Sequence, residues 1–165
     1  MEPDRSGMMA KALVLGPDDG RAFWFLNTLT INKVQSDHSD EMLNVVDHRV
    51  PPGYAPPPHM HRHSHEAFFI LDGEFSGFCG QETWQAGPGS LVFLPRGVPH
   101  GFQVSETAPG RALLILAPAG GFDDFVAALG EPAPRLELPH PVPPDPARVV
   151  EIAAAHGIEI LPPPA

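Results

Sequence analysis

The sequence predicts an all-β protein, a barrel or sandwich of short strands, followed by two helices towards its C-terminal end. Three observations lead to this prediction: short apolar segments, glycine-containing turns between them, and a change to helical periodicity after residue 120. A chain of 165 residues suits one domain with a single core. We therefore expect one domain over 1–165, with a barrel core at about 21–117 and a helical appendage at about 118–165.

The predicted strands are bounded by residues that favour turns. Pro51-Pro52-Gly53 must end one strand, because proline cannot donate a hydrogen bond to a sheet. Asp72-Gly73 is a strong hairpin signal between two apolar segments. In chain order, the predicted strands cover about 21–32, 42–50, 66–71, 74–79, 82–86, 90–94 and 111–117.

Two helices are predicted after the strands. The first has apolar residues at i, i+3, i+4 and i+7 and ends at Gly130, its apolar positions being Phe122, Phe125, Val126 and Leu129. Asp145-Pro146 supplies an N-cap and a first-turn proline for a second helix that reaches about His156. The proline-rich segment 132–146 between them is expected to wrap the barrel or to cover its mouth.

Composition argues against several classes of partner. With 20 acidic and 10 basic residues the net charge is −10, and no basic stripe is visible, so a nucleic-acid partner is not expected. No apolar segment has the length of a membrane span, and none resembles a signal peptide. The single cysteine, Cys79, cannot close an intramolecular disulfide and is expected in the core. A cytoplasmic location is the resulting expectation.

A cluster of histidines is the most prominent chemical feature, with four in seven residues at His59, His61, His63 and His65. Residues at i and i+2 of a strand share a face, so any neighbouring pair of the four could point inward. Glu66 lies an odd number of positions from each histidine and cannot share their face in one uninterrupted strand. A bend is therefore expected before Glu66, after which Glu66, Phe68 and Ile70 face inward together.

Nine fixed positions around this cluster resemble the two cupin motifs. Gly53-(x)5-His59-x-His61-(x)4-Glu66-(x)6-Gly73 resembles the first, and Gly89-(x)5-Pro95-x-Gly97-(x)2-His100 resembles the second. Fifteen residues separate Gly73 from Gly89, a spacing typical of small bacterial cupins. Val104 stands where the family often has an asparagine that is not a metal ligand. The resemblance implies the double-stranded β-helix, or jelly-roll barrel, of cupins.

The resemblance also implies a metal site, with the ligands His59, His61, Glu66 and His100. His63 and His65 then face outward or lie beside the ligands. Three imidazoles and a carboxylate suit one divalent transition metal, namely Fe, Mn, Ni, Co, Cu or Zn, among which the sequence does not choose. The remaining histidines are expected at the surface: His38, His48, His140 and His156.

The whole-chain pattern is similar to bacterial single-domain cupins of the quercetin dioxygenase-like group. That similarity implies a metal-dependent dioxygenase acting on a phenolic, flavonol or polyketide-like molecule. Glu66 would be catalytic, accepting the substrate proton while also contacting the metal. The fold alone does not determine function, so two alternatives stay open. One is a non-redox metal-dependent isomerase, cyclase or lyase, and the other is a small-molecule-binding protein without turnover.

The predicted partners are a small apolar or aromatic substrate, dioxygen as a possible co-substrate, and a second copy of the chain. Apolar residues near the metal motif are expected to line the substrate pocket, although each could equally be ordinary barrel core. These residues are Met42, Met60, Phe68, Ile70, Phe93 and Phe102. A homodimer is expected by analogy with cupins, and segment 21–32 could pair across its subunits.

Overall fold

The computed structural model describes residues 11–162, so residues 1–10 and 163–165 of the predicted domain lie outside the described part. The chain forms twelve strands and two α-helices over this range. In chain order these elements are β1 Arg21–Phe25, β2 Thr28–Val34, β3 Asn44–Val50, β4 His59–His61, β5 His65–Asp72, β6 Phe75–Cys79, β7 Glu82–Ala86, β8 Leu91–Leu94, β9 His100–Val104, β10 Gly110–Ala117, α1 Phe122–Leu129, β11 Glu131–Pro132, α2 Pro146–Ala155 and β12 Ile158–Ile160.

The strands form two antiparallel sheets that pack as a jelly-roll sandwich, which confirms the predicted fold class. The larger sheet has the order β11-β1-β2-β3-β10-β5-β8, and the smaller has the order β12-β4-β9-β6-β7. Alternate residues of the central strands face the core, as the period of a strand requires. In β10, for example, Ala112, Leu114 and Leu116 are buried while the residues between them are half-buried.

The turn at Asp72-Gly73 connects the two sheets and does not form a hairpin. Strand β5 pairs with β10 and β8, whereas β6 pairs with β7 and β9 in the other sheet. Gly73 has a φ of 83°, and a Cβ there would lie 2.5 Å from the carbonyl oxygen of Pro109. The predicted turn is thus correct, but the predicted pairing across it is wrong, because the strands separate at this corner.

A second crossing between the sheets lies between β4 and β5. The chain bends at Arg62 and His63, and the backbone N–H of Arg62 donates to the carbonyl oxygen of Gly157 at 2.9 Å. The bend predicted between the histidines and Glu66 is therefore confirmed. It places His59 and His61 in the smaller sheet and Glu66 in the larger one.

Both predicted helices are present, and the C-terminal segment also contains a strand that was not predicted. The Asp145 side chain caps α2 by accepting hydrogen bonds from the backbone N–H groups of Ala147 and Arg148. After α2 the chain forms β12, which pairs antiparallel with β4 and places Ile158 opposite His61. The predicted helical appendage is thus incomplete, because three residues are too few to show a strand period.

The proline-rich segment after β11 runs along β1 on the outside of the larger sheet. The backbone N–H of Ala133 donates to Ala22, and Trp24 Nε1 donates to the carbonyl oxygen of Glu137 at 2.8 Å. Strand β1 lies between β2 and β11, so both of its edges have a neighbour within the chain, and the pairing of segment 21–32 across subunits stays a prediction. The homodimer itself stays a prediction.

Neither described helix could cross a membrane, since α1 has 8 residues and α2 has 10.

The pairing of β12 with β4 predicts that Ile158 stabilises the barrel. Its side chain is 4% exposed and belongs to the main core. We expect Ile158→Ala to lower the free energy of unfolding by about 2–5 kcal/mol, the usual cost of removing a buried isoleucine side chain. Urea denaturation measures this loss. Val150→Ala, at a position 47% exposed, is the control and should change stability by less than about 0.5 kcal/mol. Equal effects of the two substitutions would contradict a core role for β12.

Candidate metal centre

Three histidines and one glutamate meet in the interior between the two sheets. His59 and His61 lie on β4, His100 lies on the neighbouring strand β9, and Glu66 comes from β5 of the opposite sheet. One ligand atom from each of the four lies within 4.8 Å of the others. This spread approaches what ligands at about 2.0–2.2 Å from a single ion require.

The strand geometry explains why these four side chains converge. His59 and His61 share a face of β4 because they are two residues apart. His59 lies directly opposite His100 in the β4–β9 pair, so the third imidazole joins the same face. Glu66 alternates with the buried Phe68 and therefore points inward from the larger sheet.

The Glu66 carboxylate contacts two of the three imidazoles directly. Its Oε2 lies 3.1 Å from His100 Nε2 and 3.3 Å from His61 Nε2. The rings of His61 and His100 are nearly parallel, with an angle of 12° between their planes. Glu66, His61 and His100 are 3%, 5% and 1% exposed, so this cluster is shielded from bulk water.

Backbone carbonyl groups orient two of the imidazoles. The Nδ1 atoms of His59 and His100 lie 3.0 Å from the carbonyl oxygens of Pro57 and Val98. A carbonyl oxygen only accepts hydrogen bonds, so each Nδ1 carries the hydrogen and donates it. In the neutral ring of His59 the Nε2 atom is then free of hydrogen, which is the form that binds metals. His100 Nε2 donates to the Glu66 carboxylate at 3.1 Å, and it would give up that hydrogen to bind a metal.

Burial and neighbouring charges adjust the protonation of the cluster. Burial, together with the charges of His100 and His61, lowers the pKa of His59 to about 4, so this ring is neutral at pH 7. Burial alone raises the pKa of Glu66, but His61 and His100 outweigh it and hold that pKa well below its usual value. The carboxylate is therefore ionised at neutral pH.

The four side chains fit a divalent transition metal. The Nε2 atom of His61 is buried and makes no hydrogen bond to any described residue, although Glu66 Oε2 lies 3.3 Å away. An unpaired buried nitrogen that faces two imidazoles and a carboxylate is the arrangement expected of a ligand. The nitrogen-rich donor set suits Fe, Mn, Co, Ni, Cu or Zn and disfavours Ca²⁺ and Mg²⁺, which prefer oxygen.

A narrow apolar cavity of about 60 Å³ opens onto the cluster. Three of the candidate ligands, His59, His61 and Glu66, line one part of it. Aromatic side chains dominate the remaining wall, among them Phe25, Tyr54, Phe102, Phe122 and Phe125. Residues from α1, α2 and β12 therefore help to enclose a site whose candidate ligands all lie in the barrel, while none of residues 132–146 lines it.

Three of the predicted pocket residues face the interior. Phe102 lines the cavity, as expected. Phe68 and Ile70 are almost fully buried and do not line the cavity. They are therefore ordinary core residues, the alternative that the sequence had left open for them. Phe68 supports the pocket indirectly, because its ring packs against Phe102 with centroids 5.1 Å apart.

The other three predicted pocket residues do not line the cavity. Met42 lies in a bend before β3 and is 64% exposed, and Phe93 is 58% exposed on the outer face of β8. The prediction for Phe93 is wrong because all four residues of β8 are apolar and hide which face is buried. Met60 lies between His59 and His61, so strand alternation directs its side chain to the opposite face of β4.

His48 is a cavity residue that was expected at the surface. It is 5% exposed on β3 and lines the same cavity as the metal cluster. The available signal was its alternation with Val46 and Val50, which are both fully buried. Burial lowers the pKa of His48 to about 4, against the opposing charges of Glu66 and Asp47.

The remaining histidines and the cysteine largely match expectation. His38 and His140 are exposed, His63 is exposed and His65 is half-buried, all outside the cluster of candidate ligands. His156 is half-buried, with its ring beside that of Phe125. Cys79 is half-buried and packs against the core.

Comparison with known families identifies the class of domain. Residues 46–116 match the family model described as the cupin domain. This segment contains all four candidate ligands, and the surrounding strands form the expected jelly roll. Residues 46–116 therefore match a cupin domain, which agrees with the cupin resemblance of the two motifs.

Solved structures from bacteria share the fold. TT1209 from Thermus thermophilus is 29% identical, with a TM-score of 0.50 over 56% of this chain and 84% of that one. The polyketide cyclase RemF from Streptomyces resistomycificus is 22% identical, with a TM-score of 0.56 over 66% and 80%. A predicted oxalate decarboxylase from Thermotoga maritima is 16% identical, with a TM-score of 0.52 over 55% and 79%. The comparison with curated proteins found no match.

The ligand assignment predicts which histidines are needed for metal. We expect His59→Ala and His100→Ala each to remove stoichiometric metal, because each deletes an Nε2 donor from the cluster. His63→Ala is the control and should keep the metal content of the unsubstituted protein, since His63 is exposed and outside the cluster. Elemental analysis after reconstitution measures the effect. Full occupancy in either of the first two variants would contradict the assignment.

The buried neutral His48 predicts a loss of stability in acid. Between its ordinary pKa of 6.5 and about 4, the unfolded chain binds a proton at this position that the folded chain does not. The free energy of unfolding should therefore fall as the pH drops through this range, by about 3 kcal/mol for this one group. Urea denaturation of the metal-free protein from pH 7 to 4 measures the slope, which should be smaller in His48→Gln. Parallel curves for the two proteins would contradict this prediction.

Proposed function

We propose that this protein is a metal-dependent dioxygenase that acts on a small phenolic or polyketide-like compound. The observation that carries the proposal is the His59, His61, Glu66 and His100 cluster at the end of an apolar, aromatic-lined cavity. Apolar walls favour an aromatic substrate, and the few polar groups are concentrated where a substrate hydroxyl would meet the metal.

The size of the cavity limits what can enter it. A volume of about 60 Å³ holds only a few water molecules, at about 10–15 Å³ each, and a cavity that binds benzene has roughly 150 Å³. The lining side chains would therefore have to move apart to admit one small ring. Pro56 and Phe102 also line a neighbouring surface groove of about 600 Å³. A larger substrate such as a flavonol would place one ring in the cavity and the remainder along this groove.

The four side chains would hold the metal and leave part of its coordination sphere open. A bound divalent transition metal would supply Lewis acidity for a substrate hydroxyl and, if redox-active, a route for electrons to dioxygen. With four protein ligands, a five- or six-coordinate ion keeps one or two positions free. Dioxygenation places both oxygen atoms in the product and draws its electrons from the substrate, so no separate reductant is needed.

Glu66 is the proposed acceptor of the substrate proton. Its Oε2 contacts His61 and His100, while its Oε1 makes no hydrogen bond to any of the residues described. The low pKa of Glu66 makes it a weak base, but a hydroxyl beside a divalent cation is more acidic than a free one. The cation would therefore reduce the pKa difference between the substrate hydroxyl and Glu66, and so reduce the free-energy cost of the proton transfer.

A non-redox metal enzyme, such as an isomerase, cyclase or lyase, is the second candidate. The observation that favours it is the neutral imidazole of His48, which shares the cavity with Glu66. Two acceptors beside one bound substrate would suit proton transfer within that substrate without dioxygen. The similarity to the polyketide cyclase, at 22% identity, shows the fold alone and adds nothing to this choice.

Oxygen uptake tests the proposal. The protein is reconstituted separately with Fe²⁺, Mn²⁺, Co²⁺, Ni²⁺, Cu²⁺ or Zn²⁺ and offered a panel of compounds from catechol to flavonols. We expect at least one of the redox-active metal forms to consume one molecule of dioxygen for each molecule of substrate. Glu66→Gln should lose most of this activity, by about 100-fold or more, because general-base catalysis contributes on that scale. His63→Ala is the matched control. Turnover of a panel compound by the zinc form without oxygen uptake would favour the second candidate, and binding without turnover would indicate a binding protein.

A further inference from the structure

His48 forms part of the cavity wall without belonging to either cupin motif. It lies on β3 of the larger sheet, whereas the histidines of the cluster come from the smaller one. Its side chain is 5% exposed and faces the cavity that contains His59, His61 and Glu66. A buried polar side chain that the metal site does not use calls for another partner.

A chain of hydrogen bonds identifies the protonated nitrogen of this ring. The Thr28 hydroxyl donates its only hydrogen to the carbonyl oxygen of Phe25. In the 3.1 Å contact between Thr28 and Thr30, the Thr30 hydroxyl must therefore be the donor. Thr30 then has no hydrogen left for His48 Nδ1, 3.2 Å away, so Nδ1 carries a hydrogen and donates it to Thr30.

The remaining ring nitrogen, Nε2, is consequently an acceptor without a partner. In the neutral ring one nitrogen donates and the other accepts, and burial holds the pKa of His48 at about 4. No hydrogen bond joins Nε2 to any residue between 11 and 162. Because Nδ1 is bonded to Thr30 and His48 lines the cavity, Nε2 is the ring atom that can accept a hydrogen bond from a ligand in the cavity.

The surroundings of His48 favour a neutral ligand with a hydroxyl group. Tyr54 packs edge-on against His48, with ring centroids 6.1 Å apart, and lines the same cavity. Burial raises the pKa of Tyr54, so its phenol also stays uncharged. The nearby charge of Asp47 is compensated by Arg49 and Arg111, which leaves Glu66 as the charged group that shares the cavity.

We propose that His48 Nε2 accepts a hydrogen bond from a second hydroxyl group of the substrate, so that the site selects dihydroxylated rings over rings with one hydroxyl. This inference rests on the proposed function for the first hydroxyl, which lies at the metal centre. His48 is then a specificity-determining residue, and Thr28 and Thr30 are positioning residues that hold its tautomer.

His48 accepts this hydrogen bond without removing the proton. The pKa of a phenol is about 10 and that of His48 is about 4, so complete transfer is unfavourable by about a millionfold. A ligand in which a methyl group replaces the hydrogen of the second hydroxyl leaves Nε2 unpaired in a dry site. Catechol should therefore bind more tightly than 2-methoxyphenol, by about 5- to 100-fold, the range for one buried hydrogen bond.

Two substitutions separate this role from a structural one. His48→Gln places an amide oxygen near the position of Nε2 but loses the donor to Thr30. His48→Asn keeps a donor near the position of Nδ1 and loses the acceptor. We expect His48→Asn to bind catechol and 2-methoxyphenol equally, and His48→Gln to retain the preference for catechol. If His48 only supports the fold, His48→Asn should keep the preference for catechol, because it keeps a donor to Thr30, and His48→Gln should lose it.

The experiment measures equilibrium binding of catechol and 2-methoxyphenol to the zinc-loaded protein by calorimetry, with metal content and urea denaturation checked for each variant. Because binding is the readout, a preference that depends on His48 supports this inference even if no turnover occurs and the proposed function fails. If the wild type, His48→Asn and His48→Gln all turn over substrate but show the same preference between catechol and 2-methoxyphenol, this inference alone is overturned. It is also overturned if the wild-type protein binds neither compound. If both variants unfold, nitrogen NMR of wild-type His48 decides, since a hydrogen on Nε2 would overturn the proposal.

Discussion

The buried carboxylate of Glu66 constrains the rest of this structure. A charge that is 3% exposed has lost most of its hydration, and an isolated carboxylate in such a place costs many kcal/mol. His61 and His100 compensate it at 3.3 and 3.1 Å, and both lie on the opposite sheet. Closing the sandwich and completing the ligand set are therefore one event. Any change that separates the sheets exposes Glu66 and dismantles the cluster together.

Much of the candidate site could be predicted because its residues follow from spacing. The interval of two residues places His59 and His61 on one face, and the odd interval to Glu66 demands a bend. The bend occurs where the chain crosses between sheets, which satisfies both conditions. Alternation alone does not say which two of the four histidines face inward, because every neighbouring pair is two residues apart. The resemblance to the cupin motif selected His59 and His61.

The parts that could not be predicted depend on contacts distant in sequence. Strand β3 has buried residues on both faces, since Asp47 and His48 are adjacent and both are nearly inaccessible. The alternation of His48 with Val46 and Val50 indicated the inner face, but burial on both faces of the strand obscures that signal. Phe93 lies in a strand of four apolar residues, where the buried face depends on which neighbour pairs with it. Which face of such a strand is buried depends on the assembled sheets, and the local sequence period does not show it.

The pairing of β12 with β4 affects when the centre can form as well as how stable it is. The paired residues are almost a hundred positions apart, so this contact is among those that a folding chain closes late. During synthesis the histidines of β4 leave the ribosome long before their neighbouring strand does. A nascent chain would hold its candidate ligands on an unfinished sheet edge until Ile158, at the start of β12, had been synthesised and could pair with His61.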